Sequence, residues 1–438
     1  MPLALETVLF ALLSPVVINV VSAQTIRVEP HFTTMDRPIA IHISGLSPGQ
    51  RASVRATSVD AAGRLWISSL PVSANSRGMA ELATRPDGGA TRRDASDLLT
   101  SMTVRGEQTP VSRFEVSWRD TVVTVISLDV GGRIVVGDTL RRTFGSPDVL
   151  IRQIREQGMV GTLFEHRDGA KRPAILVIGG SEGGDGAADL AYQLSGHGYT
   201  TLSLAYFGVD PLPAQLEAIP IEYFLNTLKY LRALPSVRRD RVGIVATSKG
   251  AEAALLVAAR DSGIAAVAAF APTSVVWSCI CDSVARSSWS FHGLDIASVP
   301  PGRDPSYTKA APIRPAVNYS YRMRSSPTPA AIIDAASITA PVYLVAGGDD
   351  GLWPSAKMAR EIYGKLSPRS LRAGSRLTVY PDAGHLIGKS LLPAGSTLIA
   401  RGRIDTGGTP AANADAGRDA WPRVLAFLEK TLSLTKKN

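Results

Sequence analysis

Between residues 25 and 128 the chain alternates. Ile26-Arg27-Val28, Ile39-Ala40-Ile41-His42-Ile43, Ala52-Ser53-Val54-Arg55-Ala56, Leu65-Trp66-Ile67 and Phe114-Glu115-Val116-Ser117-Trp118 each place an apolar side chain at every second position. A period of two predicts strands with one buried face. Asp36-Arg37-Pro38, Ser47-Pro48-Gly49-Gln50 and Asp60-Ala61-Ala62-Gly63 separate these runs with turn residues. Short strands at this spacing predict a sandwich of about seven strands. Arg85 to Arg105, rich in Gly, Asp, Ser and Thr, reads as a long loop. His31 and His42 fall in this region as surface or cross-strand residues rather than ligands. Residues 129–170 read as a connection.

From Pro173 the pattern changes. Ala174 to Ile178 is a continuous apolar run, and after a glycine-rich loop come a helix over Ala188 to Ser195, a turn at Gly196-His197-Gly198 and a strand over Thr200 to Ala205. A helix over Ile221 to Leu234 follows, then apolar strands at Val242 to Val245, Ile264 to Phe270 and Val342 to Ala346. Strands without alternation, interleaved with helices, predict a doubly wound, mostly parallel sheet covered on both faces. Trp277 to Ile338 lacks this rhythm and reads as an inserted cap that shapes a pocket. Trp421 to Leu432 predicts a closing amphipathic helix.

The stretch Arg241 to Ala259, RVGIVATSKGAEAALLVAA, runs from buried strand through a tight turn into helix, with Ser248 at the apex. This is the pattern of the nucleophile elbow of an α/β-hydrolase, G-x-S-x-G, with Ala246 in the place of the first glycine. The plain alternative is a serine that caps a helix. A serine hydroxyl needs a base, and the base needs an orienting acid. In this fold they follow in the order Ser, Asp, His, on loops after later strands. The strand Tyr343 to Ala346 leads into Gly347-Gly348-Asp349-Asp350-Gly351-Leu352-Trp353-Pro354, where Asp350 is the better-placed acid and Asp349 the second choice. The strand Leu377 to Tyr380 leads into Pro381-Asp382-Ala383-Gly384-His385, with Asp382 as a turn residue and His385 as the candidate base.

Two fixed N–H donors are expected for a developing oxyanion. One is the backbone of Lys249, and the other comes from Gly179 to Gly184, near Gly180 or Ser181. That loop fits neither G-x-G-x-x-G nor the P-loop pattern in full, which disfavours nucleotide binding. The Lys249 side chain reads as solvated, and Glu252 as a first-turn acid favoured by the helix N-terminus.

Composition narrows this picture further. With 438 residues, two domains are expected. The formal net charge of +9 favours anionic partners, but it is spread along the chain without an accompanying nucleic-acid-binding motif, so nucleic acid is not expected as a partner. Val8 to Val21 is apolar and is followed by Val21-Ser22-Ala23, which suits signal-peptidase cleavage after residue 23. The segment before it carries Glu6 and no Lys or Arg, so an uncleaved anchor or an upstream start site stays open. An export signal predicts a periplasmic or secreted protein; without one the protein is cytoplasmic. No later segment is long enough to span a bilayer. Cys279 and Cys281 are the two cysteines, and a bridge between positions i and i+2 would be strained, so reduced or loosely paired thiols are expected. His292 is the one nearby residue that could join them on a metal, and no metal site is expected.

Taken together, these segments resemble the family of type I acyl-CoA thioesterases and bile acid-CoA:amino acid N-acyltransferase. The resemblance runs from about Ile26 to the end. It is carried by Gly196-His197-Gly198-Tyr199, Leu202 to Phe207, Glu222-Tyr223-Phe224, Ser248-Lys249-Gly250-Ala251-Glu252, Gly348 to Trp353, Gly384-His385 and Asp419-Ala420-Trp421. It implies an immunoglobulin-like β-sandwich over residues 24–145, an α/β-hydrolase domain over 146–438 with an insert at about 277–338, and a triad of Ser248, Asp350 and His385. It implies no cofactor. The amino-acid transferase has cysteine as nucleophile and the thioesterases serine, so Ser248 implies hydrolysis of an acyl thioester. An exported member would need a different ester, thioester or amide. Carboxylester hydrolysis, acyl transfer to an amine or alcohol, and a binding protein on a hydrolase scaffold are the alternatives. The oligomeric state is not legible.

Overall fold

A computed structural model describes residues 23–83, 94–106, 113–282, 286–307 and 310–432. The expected leader lies outside these except for its last residue, as does much of the stretch read as a long loop.

The chain opens with β1 (Thr25–Glu29), β2 (Phe32–Thr34) and β3 (Ala40–Ser44), followed by β4 (Arg51–Val59), β5 (Leu65–Ser73) and β6 (Ala80–Ala83). Helix α1 (Ala95–Thr100) precedes β7 (Thr103–Val104), β8 (Val122–Val130) and β9 (Arg133–Thr143). They form two sheets, one ordered β1-β3-β6 and one ordered β2-β9-β8-β4-β5-β7. The alternation explains the packing: Ile26, Val28, Ile41 and Ile43 of one sheet share a core with Val54, Ala56, Trp66 and Leu70 of the other. This half is β-rich, as expected.

Three expectations for this half are corrected. Phe114 to Trp118 is not a strand: Phe114 packs on Trp66, while Trp118 meets Phe164 and Tyr192 edge-on, so these side chains fill aromatic contacts instead of joining a ladder. The supposed loop contains α1, started by a capping box between Asp94 and Asp97 and anchored by buried Leu98 and Leu99. The supposed connection is mostly strand, comprising β9, β10 (Val149–Glu156) and β11 (Met159–His166).

The second half continues with β12 (Arg172–Ile178), α2 (Ala188–Ser195), β13 (Thr200–Ala205), β14 (Ile219–Pro220), α3 (Ile221–Ala233) and β15 (Val237–Thr247). After these come α4 (Lys249–Ala258), β16 (Ala266–Phe270), β17 (Trp289–Phe291), β18 (Leu294–Asp295) and α5 (Ala316–Ser325). The chain closes with β19 (Val342–Gly347), α6 (Ser355–Lys365), α7 (Pro368–Arg372), β20 (Arg376–Tyr380) and α8 (Pro410–Leu432).

One eight-stranded sheet runs β10-β11-β13-β12-β15-β16-β19-β20. Its first two pairings are antiparallel and the rest parallel, the α/β-hydrolase arrangement. The continuous apolar runs serve both faces. Ile175, Val177, Val245 and Phe270 pack on the side of α2 and α8, in one core with the N-terminal sheets. Leu176, Ile178, Ile244 and Ala269 pack on the side of α3, α4 and α6. Helix α8 starts eleven residues before the predicted Trp421, because Asn413, Ala416 and Gly417 are buried by contact rather than by an apolar stripe. Trp277 to Ile338 holds α5 and a small sheet in which β17 pairs with β14 and β18. Cys279 and Cys281, expected as reduced or loosely paired thiols, are paired as a disulfide with their Cα atoms 5.4 Å apart. Among the described residues no helix is long and apolar enough to cross a membrane.

Candidate active site

Ser248 stands between β15 and α4 with φ of 56°, a left-handed conformation that a non-glycine residue adopts at a cost. Its N–H donates to the Phe270 carbonyl at 2.9 Å, which holds the turn to the next strand. Gly250 must be glycine, because a Cβ there would lie 2.1 Å from the Gly179 carbonyl oxygen. The Ser248 side chain makes no capping bond, so the plain helix-cap reading fails. Its Oγ lies 2.9 Å from His385 Nε2.

His385 follows β20 on a turn that neighbours hold on two sides. Its N–H donates to Thr406 O at 2.9 Å, and the N–H of Gly384 donates to Asn413 Oδ1 of α8 at 2.7 Å. The ring is buried, with Trp353 against it at 5.7 Å between centroids. His385 Nδ1 is 2.9 and 3.0 Å from the two Asp350 carboxylate oxygens. A carboxylate only accepts, so Nδ1 carries the proton and Nε2 is left to accept from the Ser248 hydroxyl. Asp350 is itself held by the N–H groups of Leu352 at 2.9 Å and Trp353 at 3.2 Å. Asp349 turns outward instead, to Arg314 at 2.6 Å and the Gly408 N–H at 2.9 Å. Of the two aspartates, Asp350 is the one that reaches His385. Asp382 is exposed on the turn.

The donors expected for an oxyanion are only partly placed as foreseen. Lys249 opens α4, which leaves its N–H without an intrahelical partner beside Ser248. The Gly180 N–H is occupied: it donates to the Glu182 carboxylate at 2.9 Å. The glycine loop folds its own side chain back, a contact the apolar pattern does not reveal. Ser181 remains the candidate for the second donor. Tyr206 steadies this loop by donating its hydroxyl to Gly180 O.

The Lys249 side chain is not solvated. It is 2 % exposed, and its Nζ donates to Glu252 Oε2 at 2.7 Å. Glu252 Oε1 accepts from the Trp277 N–H at 3.0 Å and from the Trp289 indole at 2.7 Å. Burial pushes the Glu252 carboxyl up and the Lys249 ammonium down, against their mutual attraction. The spacing i, i+3 could have signalled the pair, but nothing local announces the two tryptophans from the insert. His292 is exposed, beside Glu222 and away from any ligand set. Among the described residues no group of three His, Cys, Asp or Glu side chains could hold a metal.

Comparison with known proteins adds a family frame. Residues 36–156 match the acyl-CoA thioester hydrolase/BAAT N-terminal region, and residues 219–434 match the BAAT/acyl-CoA thioester hydrolase C-terminal model. Acyl-coenzyme A thioesterase 1 of Rattus norvegicus is 28% identical over 436 residues, covering 93% of this chain and 97% of the relative. Mitochondrial acyl-coenzyme A thioesterase 2 of Rattus norvegicus is 29% identical over 430 residues, covering 93% and 90%. Peroxisomal succinyl-coenzyme A thioesterase of Mus musculus is 27% identical over 441 residues, covering 94% and 98%.

Proposed function

From the premise that this chain belongs to the acyl-CoA thioester hydrolase/BAAT family and is a hydrolase, we propose that it cleaves acyl thioesters through an acyl-enzyme on Ser248. The observation that carries the reading is the 2.9 Å approach of Ser248 Oγ to a histidine whose other nitrogen faces Asp350. Ser248 Oγ attacks the thioester carbonyl while His385 Nε2 takes the hydroxyl proton. The tetrahedral oxyanion is stabilised by the backbone N–H of Lys249 and by a donor of the 180–182 loop, Ser181 being the candidate. The C–S bond then breaks, and His385 returns the proton to the departing sulfur. Water attacks the acyl-enzyme, gives its proton to His385, and the acid leaves as Ser248 recovers the proton. Asp350 keeps the imidazole in the right tautomer and offsets its charge after each transfer. We read residues 24–145 and 146–438 as two domains packed through a shared core, with the insert of the second shaping the acyl pocket.

A second reading, an exported carboxylesterase, is favoured by one feature, the apolar Val8 to Val21 run and its Val21-Ser22-Ala23 end. Both readings are tested by assaying purified protein on an acyl-CoA series and a matched p-nitrophenyl ester series. Ser248→Ala is expected to lower kcat on the order of 10³-fold or more on either series. Wild-type turnover by that variant would falsify the serine mechanism. Ester cleavage without acyl-CoA turnover would replace the first reading by the second.

A further inference from the structure

The loop directly after His385, residues 386–394, is held by the N-terminal sheets. Leu391 is buried, and both of its main-chain groups are engaged there. Its N–H donates to Met35 O at 2.8 Å, and its carbonyl accepts from Arg142 Nη1. The Ala394 N–H donates to Thr100 O at 2.9 Å. Met35, just past β2, donates its own N–H to Thr143 O of β9 at 2.8 Å, so β2, β9 and Leu391 form one connected unit. The hydrolase side contributes Gln193 of α2, which donates to the Lys389 carbonyl at 2.5 Å.

Arg142 is the unusual member. It is 1 % exposed, and burial alone pulls its guanidinium down to about 10. Among the described residues no carboxylate pairs with it, and its Nε has no hydrogen-bond partner. An unpaired buried cation destabilises the folded state, so a packing role is better served by an apolar side chain. The group it reaches is a carbonyl six residues beyond His385.

We infer that Arg142 is a positioning residue for the base: by holding Leu391 it sets the loop that orients His385 toward Ser248. The N-terminal β region then belongs to the reaction machinery, although it supplies none of the reacting groups. This rests on the reading of His385 as the general base. The mechanism is geometric, since small displacements of a base from its proton lower rate steeply.

The test uses the full-length chain with Arg142→Met, which keeps length and removes the charge and donors. Three quantities are read: steady-state kcat and KM on a p-nitrophenyl ester, the rate of Ser248 phosphonylation by a fluorophosphonate, and Tm. Phosphonylation needs an activated serine but not the substrate pocket. The expected result is a fall of about 10- to 100-fold in kcat and in phosphonylation rate, with KM within about threefold and Tm equal to or above wild type. Wild-type kcat and phosphonylation in the Met variant overturn the inference, as does a loss of activity matched by a fall in Tm. If the Met variant does not fold, Arg142→Leu, likewise without charge or donors, takes its place with the same expectations. Ser248→Ala run in parallel separates the two failures, because a dead serine variant beside a fully active Arg142 variant removes this inference and leaves the serine mechanism standing.

Discussion

Ser248 and His385, the proposed nucleophile and base, meet at 2.9 Å, yet each is supported by a buried cation in a different electrostatic setting. On the nucleophile side Lys249 faces Glu252 at 2.7 Å, and Glu252 also gathers the Trp277 N–H and the Trp289 indole of the insert. On the base side Arg142 has a carbonyl and no carboxylate among the described residues. A paired buried charge works as a joint: each partner is tolerable only because the other is there. An unpaired one gains no such return, and its place is explained by the loop it holds. The nucleophile side is therefore expected to respond to mutation mainly in stability, and the base side mainly in rate.

The largest expected effect sets the ceiling for the base side. Asp350→Asn leaves both supports in place, but with its amide oxygen on the Leu352 and Trp353 N–H groups it turns an NH2 donor toward His385 Nδ1, which favours the wrong tautomer. A kcat loss on the order of 10³–10⁴-fold is expected at nearly unchanged Tm. An Arg142 variant that lost more than this would be failing by some route other than orientation of the base. Steady-state rates with thermal melts of the same preparations make the comparison. Next comes the joint on the other side. Glu252→Ala strands the Lys249 ammonium in the interior and should cost about 3–5 kcal/mol by urea unfolding. The double variant Lys249→Met/Glu252→Gln removes both charges, keeps an acceptor for the two tryptophan donors, and should recover most of that loss. A single variant that unfolds at the wild-type urea midpoint breaks the contrast between the two supports.

Much of the candidate site was legible because its parts lie at the ends of apolar runs. Ser248 after β15, Asp350 after β19 and His385 after β20 each follow a buried strand, in the order the fold requires. The supports were not legible, because they depend on contacts between distant segments. Arg142 sits in a strand whose polar residues look solvent-facing, and only the approach of the 386–394 loop gives it a role. Lys249 looked like a surface residue until Trp289, forty positions on, roofed it over with its ring 5.3 Å away. Gly180 looked like a free donor because a glycine-rich run carries no sign that Glu182 turns back onto it. Helix α1 was hidden for a compositional reason. Its Asp-x-x-Asp start lies within a polar stretch whose two leucines are too few to set a period.

The smallest expected effect separates docking from orientation. Asp36 joins the same N-terminal region to the second half, but its carboxylate meets His197 Nε2 at 2.6 Å, the Trp421 indole at 2.8 Å and the Thr34 hydroxyl at 2.9 Å, none of them in the 386–394 loop. Burial pushes its carboxyl up, but the His197 hydrogen bond and charge, with Trp421 and Thr34, together hold it below the ordinary 3.8. A carboxylate with a lowered folded-state pKa contributes stability that is fully present above the unfolded value and is lost as pH falls through the folded one. The stability difference between wild type and Asp36→Asn should therefore be greatest near pH 7, about 1–3 kcal/mol, and shrink as pH drops below 3.8. Urea unfolding of both proteins from pH 7 to pH 3 measures it, and the difference between them cancels the other carboxylates that titrate in the same range. Because Asp36 docks the two halves without touching the base loop, kcat of the folded variant at pH 7 should stay within about twofold of wild type. A rate loss as large as that expected of Arg142→Met would mean that docking alone orients His385, and that Arg142 has no separate part in it.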